Sequence, residues 1–196
     1  MRTLFSIFFL VLAAVLGFFL YKSIEEPIAF TNYRANRKDV VVEKLQTIRR
    51  TQEMYRDITD TFATSFDQLT QVLSTEDFKI IKVTGDPDDP NFAGTVTYDT
   101  IRRPAADSIK VLGIDLANLR YVPFTDNKVS FEIQAKTIPN ENYSSKSPVV
   151  LVGTPWKSFM GAYGDARFAQ YDRKYDPNQL LSFGNLEKQN LAGNWE

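Results

Sequence analysis

Apolar and polar residues follow three different rhythms along this chain. The first is continuous. From Thr3 to Tyr21 about 19 residues pass without a charged side chain. As a helix that run covers roughly 28 Å, close to the hydrocarbon thickness of a bilayer, about 30 Å. The second rhythm is helical. In NYRANRKDVVVEKLQTIRRTQEMYRDI, Val41, Leu45, Ile48, Tyr55 and Ile58 recur at steps of three, four and seven, and Gln52 stands where the stripe asks for an apolar residue. The remaining faces are charged, which predicts one amphipathic helix ending near Asp57 to Asp60. Pro27 lies between these two rhythms and predicts a bend there.

The third rhythm is alternation. FKIIKVT (78–84), GTVTYDT (94–100), SIKVL (108–112), LRYVPF (119–124), KVSFEIQAKTI (128–138) and VVLVG (149–153) are runs of β-branched and aromatic residues between turn residues, which read as strands. TDNK (125–128) reads as a hairpin connection. Along 128–138, Val129, Phe131, Ile133 and Ala135 share one face, and Ser130, Glu132, Gln134 and Lys136 share the other. Ahead of the strands, TDTFATSFDQLTQVL predicts a short helix capped by Thr64 or Ser65, with Phe66, Leu69 and Val72 or Leu73 turned inward. The order defines an α+β class: an N-terminal transmembrane helix continuing into a long amphipathic helix packed on an antiparallel β-sheet. Four parts follow: an anchor (1–21), a stalk and amphipathic helix (22–60), a sheet domain (61–153) and a tail (154–196). The tail carries Trp156, Phe159, Tyr163, Phe168, Tyr171, Tyr175, Phe183 and Trp195 among glycines and Asp176-Pro177. It reads as short helices or loops wrapped on the domain.

Composition narrows the chemistry. The chain has no histidine and no cysteine. Serine–histidine and cysteine–histidine catalysis, disulfides, lipoprotein anchoring and the usual transition-metal sites are therefore excluded. All but one of the 23 Lys and Arg, and all 24 Asp and Glu, lie beyond Tyr21. A head so evenly charged is not built for nucleic acid, whose phosphates call for a basic surface. No S-x-x-K or G-x-S-x-G occurs, and Gly161-Ala162-Tyr163-Gly164 lacks the ending of a phosphate loop. No carboxylate pair stands out for glycoside hydrolysis. The expectation is a protein that is not an enzyme, with no catalytic residue and no cofactor.

The apolar run has three readings, a retained span, a cleaved export signal and a buried core helix, the last disfavoured because a soluble core helix is rarely apolar on every face. A signal has an apolar core of about 7–15 residues followed by small residues. Here Ala13, Ala14 and Gly17 are followed by bulky Phe18-Phe19-Leu20-Tyr21, which favours a retained span contacting the lipid bilayer from Leu4 to Tyr21. For orientation, Lys22, Arg34, Arg37 and Lys38 follow the span and only Arg2 precedes it. A literal positive-inside count keeps the head in the cytoplasm, but long domains translocate largely regardless of charge. The short N-terminal tail favours export of the head.

An apolar N-terminal helix running into KLQTIRRTQEMYRDITDTFATSFDQL, with strands after it, resembles the N-terminal half of type IV pilins and type II secretion pseudopilins. In those families a similar helix ends in a Tyr, a short turn, an aromatic and a Ser/Asp-x-Leu helix start. Tyr55, Phe62, Ser65, Phe66, Asp67 and Leu69 occupy comparable places. The resemblance covers about residues 4–73. The sequence departs from the pattern in two respects: no basic leader precedes Thr3, and Thr3 to Tyr21 contains no acid of the kind that pairs with a neighbouring subunit's N-terminus. The resemblance therefore implies a permanently anchored, pilin-like protein rather than a polymerising one. The whole chain, down to its NLAGNWE end, is also similar to uncharacterised single-pass bacterial membrane proteins. Together these imply the bacterial inner membrane, a periplasmic head, and other membrane or envelope proteins of a secretion, pilus-like or motility assembly as partners.

Candidate contact residues fall in two groups. Val41, Leu45, Ile48 and Tyr55 form the stripe, which either packs on its own domain or makes a coiled-coil seam between subunits. Two heptads are short of the three or four that a seam needs. Trp156 and Tyr163 head the aromatic tail, which either anchors the tail to the core or stacks on a partner. The second use supports an alternative function, a membrane-tethered ligand- or glycan-binding module. In GDPDDPN, Asp86, Asp88 and Asp89, with Asn91, offer oxygens to a Ca²⁺ ion, as loops of pseudopilin-like proteins sometimes do. The spacing misses the calcium-loop pattern, and prolines among acids also make a solvated turn.

Overall fold

The computed structural model describes residues 2–84, 97–139 and 146–196. One helix, α1 (Arg2–Thr59), takes up the first two rhythms without interruption, with Pro27 inside it. Proline removes one backbone donor, and the Thr31 hydroxyl donates back to the Pro27 carbonyl at 2.8 Å. The helix stops as expected. Asp60 adopts φ +60 and its N–H reaches the Arg56 carbonyl at 2.7 Å, a left-handed close to the final turn. This helix is long and apolar enough to cross a membrane, and none of its apolar window is buried by the rest of the chain.

From Phe30 onward the helix is part of a single core. Phe30, Val41, Leu45 and Ile48 are fully buried, and Tyr55 nearly so. Gln52 is buried as completely, and the structure explains why a polar residue sits in the stripe. Its amide donates to the Ala63 carbonyl (3.2 Å) and accepts from the Ala63 N–H (3.0 Å). It thereby holds the turn that sends the chain back along α1, and its own amide is satisfied at both ends. Helix α2 (Phe66–Thr75) follows, capped by Ser65, whose hydroxyl accepts from the Gln68 N–H. Phe66, Leu69 and Leu73 are its buried face.

The single sheet expected from sequence is two sheets, both antiparallel. Among the described residues β1 (Asp77–Thr84) pairs only with β2 (Thr97–Pro104), forming a ribbon. β3 (Glu132–Pro139), β4 (Lys146–Pro155) and β5 (Leu180–Gly184) form the other sheet in the order β3-β4-β5. Alternation in β3 runs as expected: Phe131 is buried and Ile133 and Ala135 half-buried, while Glu132, Gln134 and Lys136 are exposed.

Three expectations are corrected. SIKVL is not a strand but the end of helix α3 (Ala105–Val111). Pro104 starts the helix, and Ala105 and Ile109 are buried one turn apart, so a helical period prevails over β-branched composition. LRYVPF contributes one bridge, Tyr121 to Ser130, and no strand. The connection itself is a tight turn: Asp126 and Asn127 have φ +50 and +58, and the Lys128 N–H donates to the Thr125 carbonyl at 3.0 Å. That is the type I′ geometry Asp and Asn tolerate. The tail is more regular than expected. After α4 (Trp156–Met160) and two 3₁₀ turns (161–163 and 166–170), β5 pairs with β4. The last residues then close over β5: Asn194 accepts from the Ser182 N–H and donates to the Leu180 carbonyl. Arg49 ties this end to α1 through Leu191 and Glu196.

Candidate functional site

The most organised chemistry in the molecule is a collar where the tail wraps the start of the packed part of α1. Continued toward the N-terminus, the apolar stripe passes through Arg37 and Arg34 to Phe30, again at steps of four and three. Phe30 is the centre. It stacks on Phe168 (5.4 Å between centroids, 8° between planes) and meets Tyr175 edge-on at 5.1 Å. Tyr163 and Tyr171 lie at 5.9 and 6.2 Å. Ring pairs at such separations attract through their quadrupoles beyond the area they bury.

The two arginines occupy stripe positions because aromatic faces and carbonyls receive them. The Arg34 guanidinium lies over Trp156 (5.2 Å) and Tyr175 (5.8 Å) and pairs with Asp172. Burial moves its pKa below the ordinary arginine value, opposed by its attraction to Tyr175. Arg37 lies over Tyr33 (4.3 Å) and Phe124 (4.4 Å) and donates to the Phe159 carbonyl. Planar guanidinium suits stacking where an ammonium would not. Below them the Tyr171 hydroxyl donates to Glu26 at 2.7 Å, and Arg167 stands 3.8 Å from the same carboxylate. The hydrogen bond to Glu26, then burial, raises the Tyr171 pKa. Burial raises that of Tyr175, whose hydroxyl donates to the Tyr163 carbonyl. Glu26 is five residues past Tyr21, roughly 8 Å along the helix axis. The collar therefore grips α1 just beyond its apolar run.

This geometry places each residue singled out from the sequence. Val41, Leu45, Ile48 and Tyr55 lie in the chain's own core. Trp156 is buried, with Arg34 on its ring and Phe159 and Tyr175 beside it. Tyr163 is half-buried between Phe30, Tyr33 and Phe168. Asp86, Asp88 and Asp89 lie outside the described residues. Sequence reading missed Phe30, Arg34 and Arg37. The three-and-four spacing that links them to Val41 was the available signal, hidden because two of the positions are cationic.

Elsewhere the chemistry is sparse. A cleft of about 300 Å³ between α2 and residues 116–120 is bridged by the Arg120–Asp67 pair at 3.3 Å. It holds one carboxylate, where glycoside hydrolysis uses two. Among the described residues no group of three or more acidic side chains gathers to hold a metal. No protein-family model, curated protein or solved structure matches this chain.

Proposed function

We propose that residues 4–21 anchor this chain in a bacterial inner membrane with the head on the periplasmic side. We propose further that the chain serves as a structural or interaction component of a secretion, pilus-like or motility assembly. One observation carries the reading. The apolar run and the head share a single helix, and the collar grips that helix from Glu26 onward. A module that only needs to be kept near a membrane works on a loose tether. Here the head is fixed in height and rotation relative to the apolar run, as a part that must fit its neighbours requires. Confinement at a surface also raises its effective concentration toward those neighbours.

A long N-terminal helix, half of it packed into an α+β head with antiparallel sheets, supports a pilin-like reading. The acid-free apolar run supports a fixed anchor over a polymerising subunit. The glycan-module alternative loses its main platform, since the Trp156 ring is already occupied by Arg34.

The test is extraction from native membranes in mild detergent with prior crosslinking. The chain is expected in the membrane fraction and in crosslinked species with envelope proteins. A chain that is always monomeric and crosslinks to nothing in its native membrane contradicts the reading. Protease treatment of intact cells tests the orientation: a head cut only after permeabilising the inner membrane places it in the cytoplasm.

A further inference from the structure

We infer that α1 pairs with α1 of a second copy of this chain, side by side and parallel, through the face of the helix turned away from the collar. The inference rests on the reading that residues 4–21 span a bilayer, and it names the first neighbour of the anchored chain.

Ile24 and Ile28 are 63% and 55% exposed. Ile28 lies seven residues beyond Tyr21, roughly 10 Å along the helix axis, so the hydrocarbon around the apolar run does not reach it. These two residues belong to a longer line. At about 100° per residue, Ala13, Gly17, Ile24, Ile28, Thr31 and Ala35 fall within about 40° of one line along the helix, and all six are exposed. Glu26, Phe30 and Arg37, which the collar grips, lie on the opposite side. The line therefore runs without a break from inside the apolar run to the level of the head.

Gly17 is its most telling member. Glycine weakens a helix interior, and nothing in the chain comes within 4 Å of where its Cβ would stand. The fold of one copy gives no reason for it. A close helical neighbour does, because small residues let two backbones approach within lipid. Further up, Pro27, Ile28, Thr31 and Asn32 surround a recess of about 250 Å³, which can receive a side chain from a facing helix.

Charge at the upper end of the line selects the occupant. Lys38 and Asp39 stand on its two flanks, about 60° and 40° from its centre. Neither forms an ion pair among the described residues. In a parallel two-fold pair the left flank of one helix meets the right flank of the other. Lys38 of each copy then stands beside Asp39 of the other, giving two complementary pairs at one height. Copies that share an anchor enter the bilayer parallel and at equal depth, so these levels match without adjustment. A helix of unrelated sequence would have to supply both charges by coincidence. The pair is also closed, since each copy uses up the other's line, as suits a fixed anchor more than a growing filament.

The chain has no cysteine, so single cysteines report the contact directly. Ile28→Cys and Ala35→Cys lie on the line. Ser23→Cys and Asn36→Cys, at exposed positions about 120° and 100° away from it, are the controls. The full chain in its native membrane is treated with a mild oxidant, and disulfide-linked dimer is measured on non-reducing gels. Positions 28 and 35 are expected to give at least fivefold more dimer than 23 and 36. In the Ile28→Cys chain, Lys38→Asp or Asp39→Lys alone should lower the yield threefold or more. The two together should restore it, because the exchange recreates both pairs, and a change that merely damaged folding would not be rescued. Equal yields at all four positions, adducts only with other proteins, single substitutions without effect, or a double substitution that fails to restore the yield overturns the inference. A chain missing from the membrane fraction removes the anchor reading itself. A membrane-bound chain that gives no dimer from 28 or 35 removes only this pairing.

Discussion

β4 and β2 are both strands of antiparallel pairs, and both carry apolar residues, Val149 to Val152 in one and Tyr98 and Ile101 in the other. β4 lies between β3 and β5 and is buried or half-buried at every residue after Lys146. Among the described residues β2 has β1 as its neighbour and is exposed along its length. Their local sequences justify a strand in either place. What separates them is the third layer: α1, its collar and the folded-back C-terminus close over the three-stranded sheet, and nothing in this chain's described residues closes over the ribbon. A strand's existence is thus a local matter, while its burial is decided by what else the chain brings to it.

Substitutions should break this contrast unevenly. The largest loss is expected at the centre of the collar. Phe30→Ala removes a fully buried ring from its contacts with four others and should cost about 3–5 kcal/mol in denaturant unfolding of the detergent-solubilised chain. Next comes the end of β5. Gly184 has φ +87, and an added Cβ would lie 2.0 Å from the Val150 carbonyl oxygen. Backbone cannot yield as a side chain can, so Gly184→Ala should cost on the order of 2–4 kcal/mol. Gly113, also left-handed but with open space around it, should cost only about 1 kcal/mol as Ala. Gln52→Ala strands both backbone groups of Ala63 and should cost about 1–3 kcal/mol. If Gln52→Ala proves neutral by the same unfolding measurement, the turn after α1 does not depend on that amide.

A subtler effect is expected with pH. Tyr171 and Tyr175 have folded pKa values raised above the unfolded ones. Their stabilisation is fully present below the ordinary tyrosine value of about 10 and fades as pH rises through the higher folded values. Tyr171→Phe should flatten part of that alkaline loss between roughly pH 9 and 12 and leave the part due to Tyr175. An unchanged alkaline limb would show that the Glu26 contact does not hold in solution. The smallest change belongs to the ribbon: Ile101→Ser, at a half-exposed position, should stay within about 0.5 kcal/mol. A loss as large as that at Gln52 would mean the ribbon is covered in the isolated protein.

Several elements were readable from residues alone. The Val41–Ile58 stripe, the Ser65 cap and the alternation along Val129 to Ala135 each depend on neighbours within a turn or a strand. SIKVL was misread because five residues containing Ile and Val satisfy both periods, and only the burial of Ala105 and Ile109 on one helical face settles the choice. LLSFG went unread because five residues do not make a strand without an edge to join, and that edge is β4, about thirty residues away. The collar was half-readable: its aromatics were visible, but their centre, Phe30, sits in a stripe disguised by Arg34 and Arg37.

By itself the sequence determined where a long apolar helix starts, where its packed half ends, and which catalytic and redox chemistries are closed for lack of histidine and cysteine. These follow from a helical rise of about 1.5 Å per residue, from caps and from side-chain chemistry, all local. Only the tertiary structure decided that two half-buried arginines continue the packed stripe of α1 and that, among the described residues, nothing covers a β-branched ribbon. A cation takes a place in a packed stripe only when rings and carbonyls from distant parts of the chain meet it there, and a strand is covered only when another layer reaches it.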